Sequence, residues 1–190
     1  NILRRYIRDY GENEDINRAV QVLERAKRDV LKAQDKTELI GYEGMASNAY
    51  FEVLPILILN QKTDFPFHGR NRRPPKDAVN AMLSFAYTLI ANDVAAALET
   101  VGLDPYVGFL HTLRPGRTSL ALDMMEELRA YLGDRFILSL INKRQISVKD
   151  FLFQGDNGVV MTDKGKKTFI TAWQARKREV IIHPYLNEKI

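Results

Sequence analysis

The sequence predicts a mainly α protein, a multi-helix domain with one small β-hairpin near its C-terminal end. Apolar residues recur at spacings of three and four over long stretches, the period of a helix with one buried face. Two short β-prone triplets, Phe151-Leu152-Phe153 and Val159-Val160-Met161, flank the turn signal Gln154-Gly155-Asp156-Asn157-Gly158. No internal repeat, low-complexity tract or long linker interrupts the 190 residues, so residues 1–190 are expected to form a single domain.

From Asp15 to Gln34 the residues Ile16, Ala19, Val20, Leu23, Ala26, Val30 and Leu31 mark one amphipathic helical face. A second helix is expected from about Thr37 to Asn60, with Leu39, Ile40, Ala46, Tyr50 and Leu54 as its buried stripe and a kink near Pro55. Thr63 to Lys76 holds three prolines and Gly69 among Arg70, Arg72, Arg73 and Lys76, and reads as a basic loop. Asp77 is placed to cap a third helix running to about Thr100, with Gly102 ending it. That helix is apolar on nearly all sides and belongs in the middle of a bundle. After a loop containing Pro105, Gly108, Pro115 and Gly116, Ser119 is the expected cap of a helix through about Tyr131, which Gly133-Asp134 breaks or bends before Phe136 to Asn142 resume. Beyond the hairpin, Thr162 or Asp163 caps a last helix to about Arg178. The opening run Ile2-Leu3-Arg4-Arg5-Tyr6-Ile7 reads as the middle of an element, so a fragment of a longer protein is expected.

The charge balance, 28 Lys plus Arg against 24 Asp plus Glu, is too mild to identify an anionic partner. The absence of cysteine excludes disulfides, thiolate zinc sites and cysteine nucleophiles, and favours a cytoplasmic location. The apolar stretch Val53 to Leu59 contains Pro55 and is too short to span a bilayer, so no membrane association is expected.

His111 lies in a loop just ahead of a helix on which Asp123 and Glu126, three apart, share a face with Leu122 and Met125. A carboxylate near the core usually needs a cation or a shared proton. Spacing alone favours a solvated face on which Asp123, Glu126, Glu127 and Arg129 make local ion pairs. Glu43 is bracketed by Gly41, Gly44 and Ala46, small residues that admit either a substrate or a packed helix. Two carboxylates and an imidazole suit Mn²⁺, and the carboxylates suit Mg²⁺, either of which supports phosphodiester chemistry. Arg114 and Arg117 beside His111, and Arg70, Arg72 and Arg73 in the basic loop, are candidate phosphate contacts. No phosphate-cradling P-loop occurs, and the paired Glu-x-x-His motifs of a di-iron bundle are missing.

The strings Gly41-Tyr42-Glu43-Gly44-Met45-Ala46, Phe67-His68-Gly69-Arg70-Asn71-Arg72-Arg73-Pro74-Pro75 and Asp77-Ala78-Val79-Asn80-Ala81-Met82-Leu83-Ser84 resemble the CRISPR-associated integrase family. So do Gly108-Phe109-Leu110-His111, Arg114-Pro115-Gly116-Arg117 and the run Ser119 to Leu128. The resemblance covers nearly the whole chain and is nearest to members from type I, C-subtype systems. It implies the helical catalytic domain of a two-domain protein whose N-terminal β-rich domain is absent here. It further implies Mg²⁺ or Mn²⁺ held by Glu43, His111 and Glu126, with Asp123 assisting. The implied reaction is transesterification, in which a DNA 3′-hydroxyl attacks a CRISPR repeat, with water as an alternative nucleophile giving endonuclease activity. Implied partners are double-stranded DNA, the smaller CRISPR adaptation protein and a second copy of the chain. The competing expectation is a non-catalytic helical module that binds DNA or protein.

Overall fold

The computed structural model describes residues 1–180, 182 and 187–189; His183, one of the three histidines, lies outside them. The chain is an assembly of helices with one two-stranded hairpin, as the periodicity predicts. Helix α1 (Ile2–Tyr10) packs on α2 (Glu14–Val30), which in turn packs along α3 (Lys36–Val53). A single 3-10 turn, Leu54–Leu57, follows at Pro55. The expected kink is therefore the end of the α-helix, because proline lacks the N–H that would continue it.

The central element is α4 (Ala78–Thr100), capped by Asp77, whose side chain accepts from the Asn80 N–H. Its first half, from Ala78 to Ile90, buries nine residues, whereas Asn92, Asp93, Ala96 and Ala97 in the second half are exposed. Among the described residues α4 alone has the length and apolarity to cross a membrane, and its buried half is core. Around it lie α5 (Ser119–Leu128), a π-helical segment (Arg129–Asp134), α6 (Arg135–Asn142) and the hairpin β1 (Phe151–Phe153) and β2 (Val159–Met161). The hairpin is antiparallel, with Leu152 opposite Val160. The last helix, α7 (Asp163–Lys177), is capped by Thr162 and joined to the core by edge-on ring contacts of Phe169 with Phe85 and Phe136, and of Trp173 with Phe136.

Two expectations need correction. Gly133-Asp134 does not break the chain: both residues are buried inside a continuous π turn that joins α5 to α6. The stripe assigned to α3 is not a core stripe either, since Ile40 is 49% exposed and the helix buries only Phe51 and Val53, with Leu54 just beyond it. Its first turns rest on α2 and otherwise face outward, so its weak period did not report a buried side. A Cβ added at Gly41 or Gly44 would meet no atom within 4 Å. Gly44→Ala is therefore expected to raise stability by about 0.5–1 kcal/mol through helix propensity. A lowered thermal midpoint would contradict it.

Candidate active site

The site is built on the loop that folds over the start of α5. Thr118 makes no side-chain cap. Instead the Pro105 carbonyl accepts from the N–H groups of Leu120 and Ala121, at 2.9 and 3.3 Å, so the preceding loop closes the helix end. Asp123, one turn into α5, then binds that loop from beneath. Its Oδ2 accepts from the amides of Phe109 (2.7 Å) and Leu110 (2.9 Å), and its Oδ1 accepts from the His111 amide (2.9 Å). The same Oδ1 lies 2.7 Å from His111 Nδ1.

The Asp123 side chain is fully buried. Burial by itself raises its pKa, but the N–H groups of Leu110 and His111, the imidazole and the Phe109 N–H outweigh it and hold the carboxyl below its ordinary value. An ionised Asp123 can only accept, so Nδ1 carries the proton between them. The lone pair of neutral His111 is then on Nε2, and the half-buried imidazole has a fixed tautomer and orientation. Gly108 makes this closure possible. A Cβ there would lie 2.6 Å from the Ser119 carbonyl carbon and 2.7 Å from Asp123 Oδ2.

Glu126 takes the other role that spacing allowed. It is exposed, and both its oxygens accept from Arg129 Nη1, at 2.7 and 2.6 Å. Glu43 is exposed on the outward turns of α3. Among the described residues no three His, Cys, Asp or Glu side chains are gathered so as to hold a metal ion. His111 has the chemistry of a ligand, Asp123 has both oxygens engaged by N–H donors, and Glu126 is occupied by a guanidinium. As arranged, the expected set Glu43, His111 and Glu126 is not gathered to fit a divalent ion, and Glu126 is paired with Arg129.

The basic residues divide into two kinds. Arg72, Arg73 and Arg114 are exposed and Arg117 is half-buried, as phosphate contacts require. Arg70 departs from that expectation. Its guanidinium is turned inward, donating to Asn80 Oδ1 (2.8 Å) and Ser84 Oγ (3.1 Å), and it lies over the Tyr87 ring. Fully buried Asn80 organises the loop, accepting also from the Asn71 amide and donating to the Gly69 carbonyl. The open cleft between the end of α3 and this loop is lined by Ser47, Glu52, His68, Arg70 and Arg72, not by His111 or Asp123.

Sequence reasoning missed the polar cluster beneath both regions. Asp134 is buried, and the Tyr87 hydroxyl donates to it at 2.5 Å. Burial pushes the Asp134 carboxyl upward, against the pull of Tyr87, Tyr50, Arg129 and Arg70. Arg129 lies 4.8 Å over the Tyr87 ring. The one signal available in the sequence was the i, i+3 spacing of Glu126 and Arg129.

The family described as "CRISPR associated protein Cas1" matches residues 1–175. The chain is 49% identical over 191 residues to "CRISPR-associated endonuclease Cas1 1" of Chlorobaculum tepidum, covering 99% of this chain and 56% of that protein. It is 47% identical over 179 residues to "CRISPR-associated endonuclease Cas1" of Leptospira interrogans, covering 94% of this chain and 70% of that one. The chain thus spans little more than half the length of the first of these relatives. Among solved structures, a CAS1 protein from Thermotoga maritima superposes with a TM-score of 0.80 at 29% identity, over 100% of this chain and 56% of that one. A chain of a "Partial Cas6-RT-Cas1--Cas2 complex" gives 0.81 at 25% identity, over 93% of this chain and 53% of that one. A "Casposase bound to integration product" gives 0.78 at 24% identity, over 96% and 50%, and so shares the fold.

Proposed function

The chain belongs to the CRISPR-associated Cas1 family, and from that premise we propose that it is the helical catalytic domain of a DNA integrase and endonuclease, acting on phosphodiester bonds. The observation that carries the proposal is the His111 imidazole, held by a buried carboxylate that also binds three consecutive amides of its loop. Such a clamp leaves Nε2 as the imidazole nitrogen available to an electron-poor centre. Exposed Arg114, beside this site, and exposed Arg72 and Arg73 supply cations for phosphate oxygens, with Arg117 half-buried nearby. Arg70 is assigned to the scaffold of the basic loop instead.

The finer reading is transesterification, in which a 3′-hydroxyl of new spacer DNA attacks the CRISPR repeat, with hydrolysis when water replaces it. It includes Mg²⁺ or Mn²⁺ with Glu43, His111 and Glu126 as ligands and Asp123 as the group that orients His111. An ion there would activate the hydroxyl and offset charge on the phosphate. The partners proposed are double-stranded DNA, the smaller adaptation protein and a second copy of the chain, in the cytoplasm and with an additional N-terminal domain. Likeness to a chain of the partial Cas6-RT-Cas1--Cas2 complex supports the protein partner.

A non-catalytic DNA- or protein-binding module is the second reading, favoured by the Glu126–Arg129 pair and the ungathered ligands. Glu43→Gln separates the two. Because Glu43 is exposed, the variant is expected to keep its thermal midpoint. DNA joining and nicking by the full protein with Mn²⁺ should fall roughly a hundredfold or more. Unaltered turnover removes Glu43 from the chemistry, and activity indifferent to chelation favours the binding module.

A further inference from the structure

We propose that Phe109 is a base-stacking residue, holding an unpaired nucleobase of the DNA beside His111. The inference rests on the functional reading above and deepens it by naming the form of DNA that the loop takes. Phe109 is 65% exposed, yet its loop is not loose. The Phe109 amide donates to Asp123 Oδ2 and the His111 amide to Oδ1, so one carboxylate fixes the two residues relative to each other. Two residues of chain span at most about 7 Å. A phosphate at the imidazole therefore brings a neighbouring base within reach of the ring.

Phe109 does not stand alone. Leu103, Tyr106, Val107 and Leu113 are also exposed, and Tyr106, Val107, Leu113 and Arg114 line an open hollow. An apolar surface of this kind marks a place of contact. Charge indicates with what. From Val101 to Thr118 the basic residues are Arg114 and Arg117, and the single acid is Asp104, whose Oδ1 accepts from the Tyr106 amide. Aromatic rings beside arginines meet base faces and phosphates together, the two surfaces of a single strand. A protein covering both Phe109 and Leu113 would also cover His111, which lies between them in the chain and whose side chain is 30% exposed. DNA instead brings its phosphate there. Bases inside a duplex are already stacked on both faces, so the ring takes an unpaired one.

Binding of the full protein to a DNA duplex with single-stranded 3′ ends tests this, alongside the same duplex with abasic sites throughout those ends. Phe109→Leu keeps an apolar side chain without a π face and should bind the first DNA roughly tenfold more weakly, while Phe109→Trp should restore binding. Thermal midpoints should match the parent, because the ring is exposed. Abasic ends should weaken the parent by the same factor and add nothing to the loss in Phe109→Leu, since both changes remove one contact. Parental binding by Phe109→Leu overturns the stacking, assigns the patch to a protein partner and leaves the functional reading intact. Losses that add in full overturn the stacking as well. A parent that neither binds nor cuts DNA overturns the functional reading and the stacking with it.

Discussion

Asp123→Ala is expected to lower folding stability by about 3 kcal/mol, among the larger effects of a single polar substitution. The magnitude follows from what one carboxylate holds. Three amides, of Phe109, Leu110 and His111, lose their acceptor together, and the imidazole loses its proton partner. Solvent reaches Phe109 and Leu110 and replaces part of the loss, which keeps the figure below the sum for three fully buried donors. Asp123→Asn preserves the shape but presents an N–H₂ group to N–H donors and removes the charge that fixes the tautomer. It should cost less stability and still reduce DNA cleavage by roughly a hundredfold. Urea unfolding and turnover of the two variants measure these effects separately.

The same residue sets a pH dependence of defined sign. Its folded pKa lies below the ordinary value, so its contribution is present at neutral pH and is lost as pH falls through the folded value. The stability difference between the parent and Asp123→Ala should therefore be constant at neutral pH and shrink below about pH 4. A difference that grows on acidification would contradict the assignment.

Gly108→Ala is expected to be the most damaging conservative change in the loop. The new methyl would lie 2.6 Å from the Ser119 carbonyl carbon and 2.7 Å from Asp123 Oδ2, and the first of these is backbone that cannot swing aside. Relief requires the loop to lift from α5, stretching the hydrogen bonds that position His111. Overpacking of this kind costs about 2 kcal/mol, and a displaced imidazole loses roughly tenfold to a hundredfold in rate. The contrast with Gly44, where the same methyl meets open space, makes the pair a controlled comparison. Both variants with parental midpoints and rates would show that the loop tolerates the shift.

Much of the architecture was legible because it is local. The strands pair in the register that Phe151 to Met161 suggests, and Asp77 and Thr162 cap the helices that they precede. A cap or a hairpin is decided within a few residues, so spacing carries it. The π turn was misread as a break because Gly133 weakens helix propensity, whereas burial against Tyr87 gives that glycine its packing role. The buried stripe of α3 failed for a related reason: apolar residues at helical spacing do not say whether anything covers them. Within the site, the sequence placed one of Asp123 and Glu126 near the core, without saying which, and expected a cation or a shared proton to satisfy it; Asp123 is the buried one. What satisfies it is three backbone amides, which no residue type announces. The inward turn of Arg70 depends on Asn80 and Ser84, ten and fourteen residues away, and was equally invisible.

The π segment has one consequence for what the chain can tolerate by way of length change. Its wider turn resets the phase between α5, which buries Ala121 and Met125, and α6, which buries Phe136, Ile137, Leu140 and Ile141. Losing one residue here can be taken up by narrowing the wide turn to an α turn, but adding one would swing everything downstream through about 100° around the axis. The aromatic side of α6 would then be directed at water, and the contacts of Phe136 with Phe169 and Trp173 would be lost at a stroke. Insertions are thus forbidden in this hexapeptide for a geometric reason, whatever its residues do in the reaction.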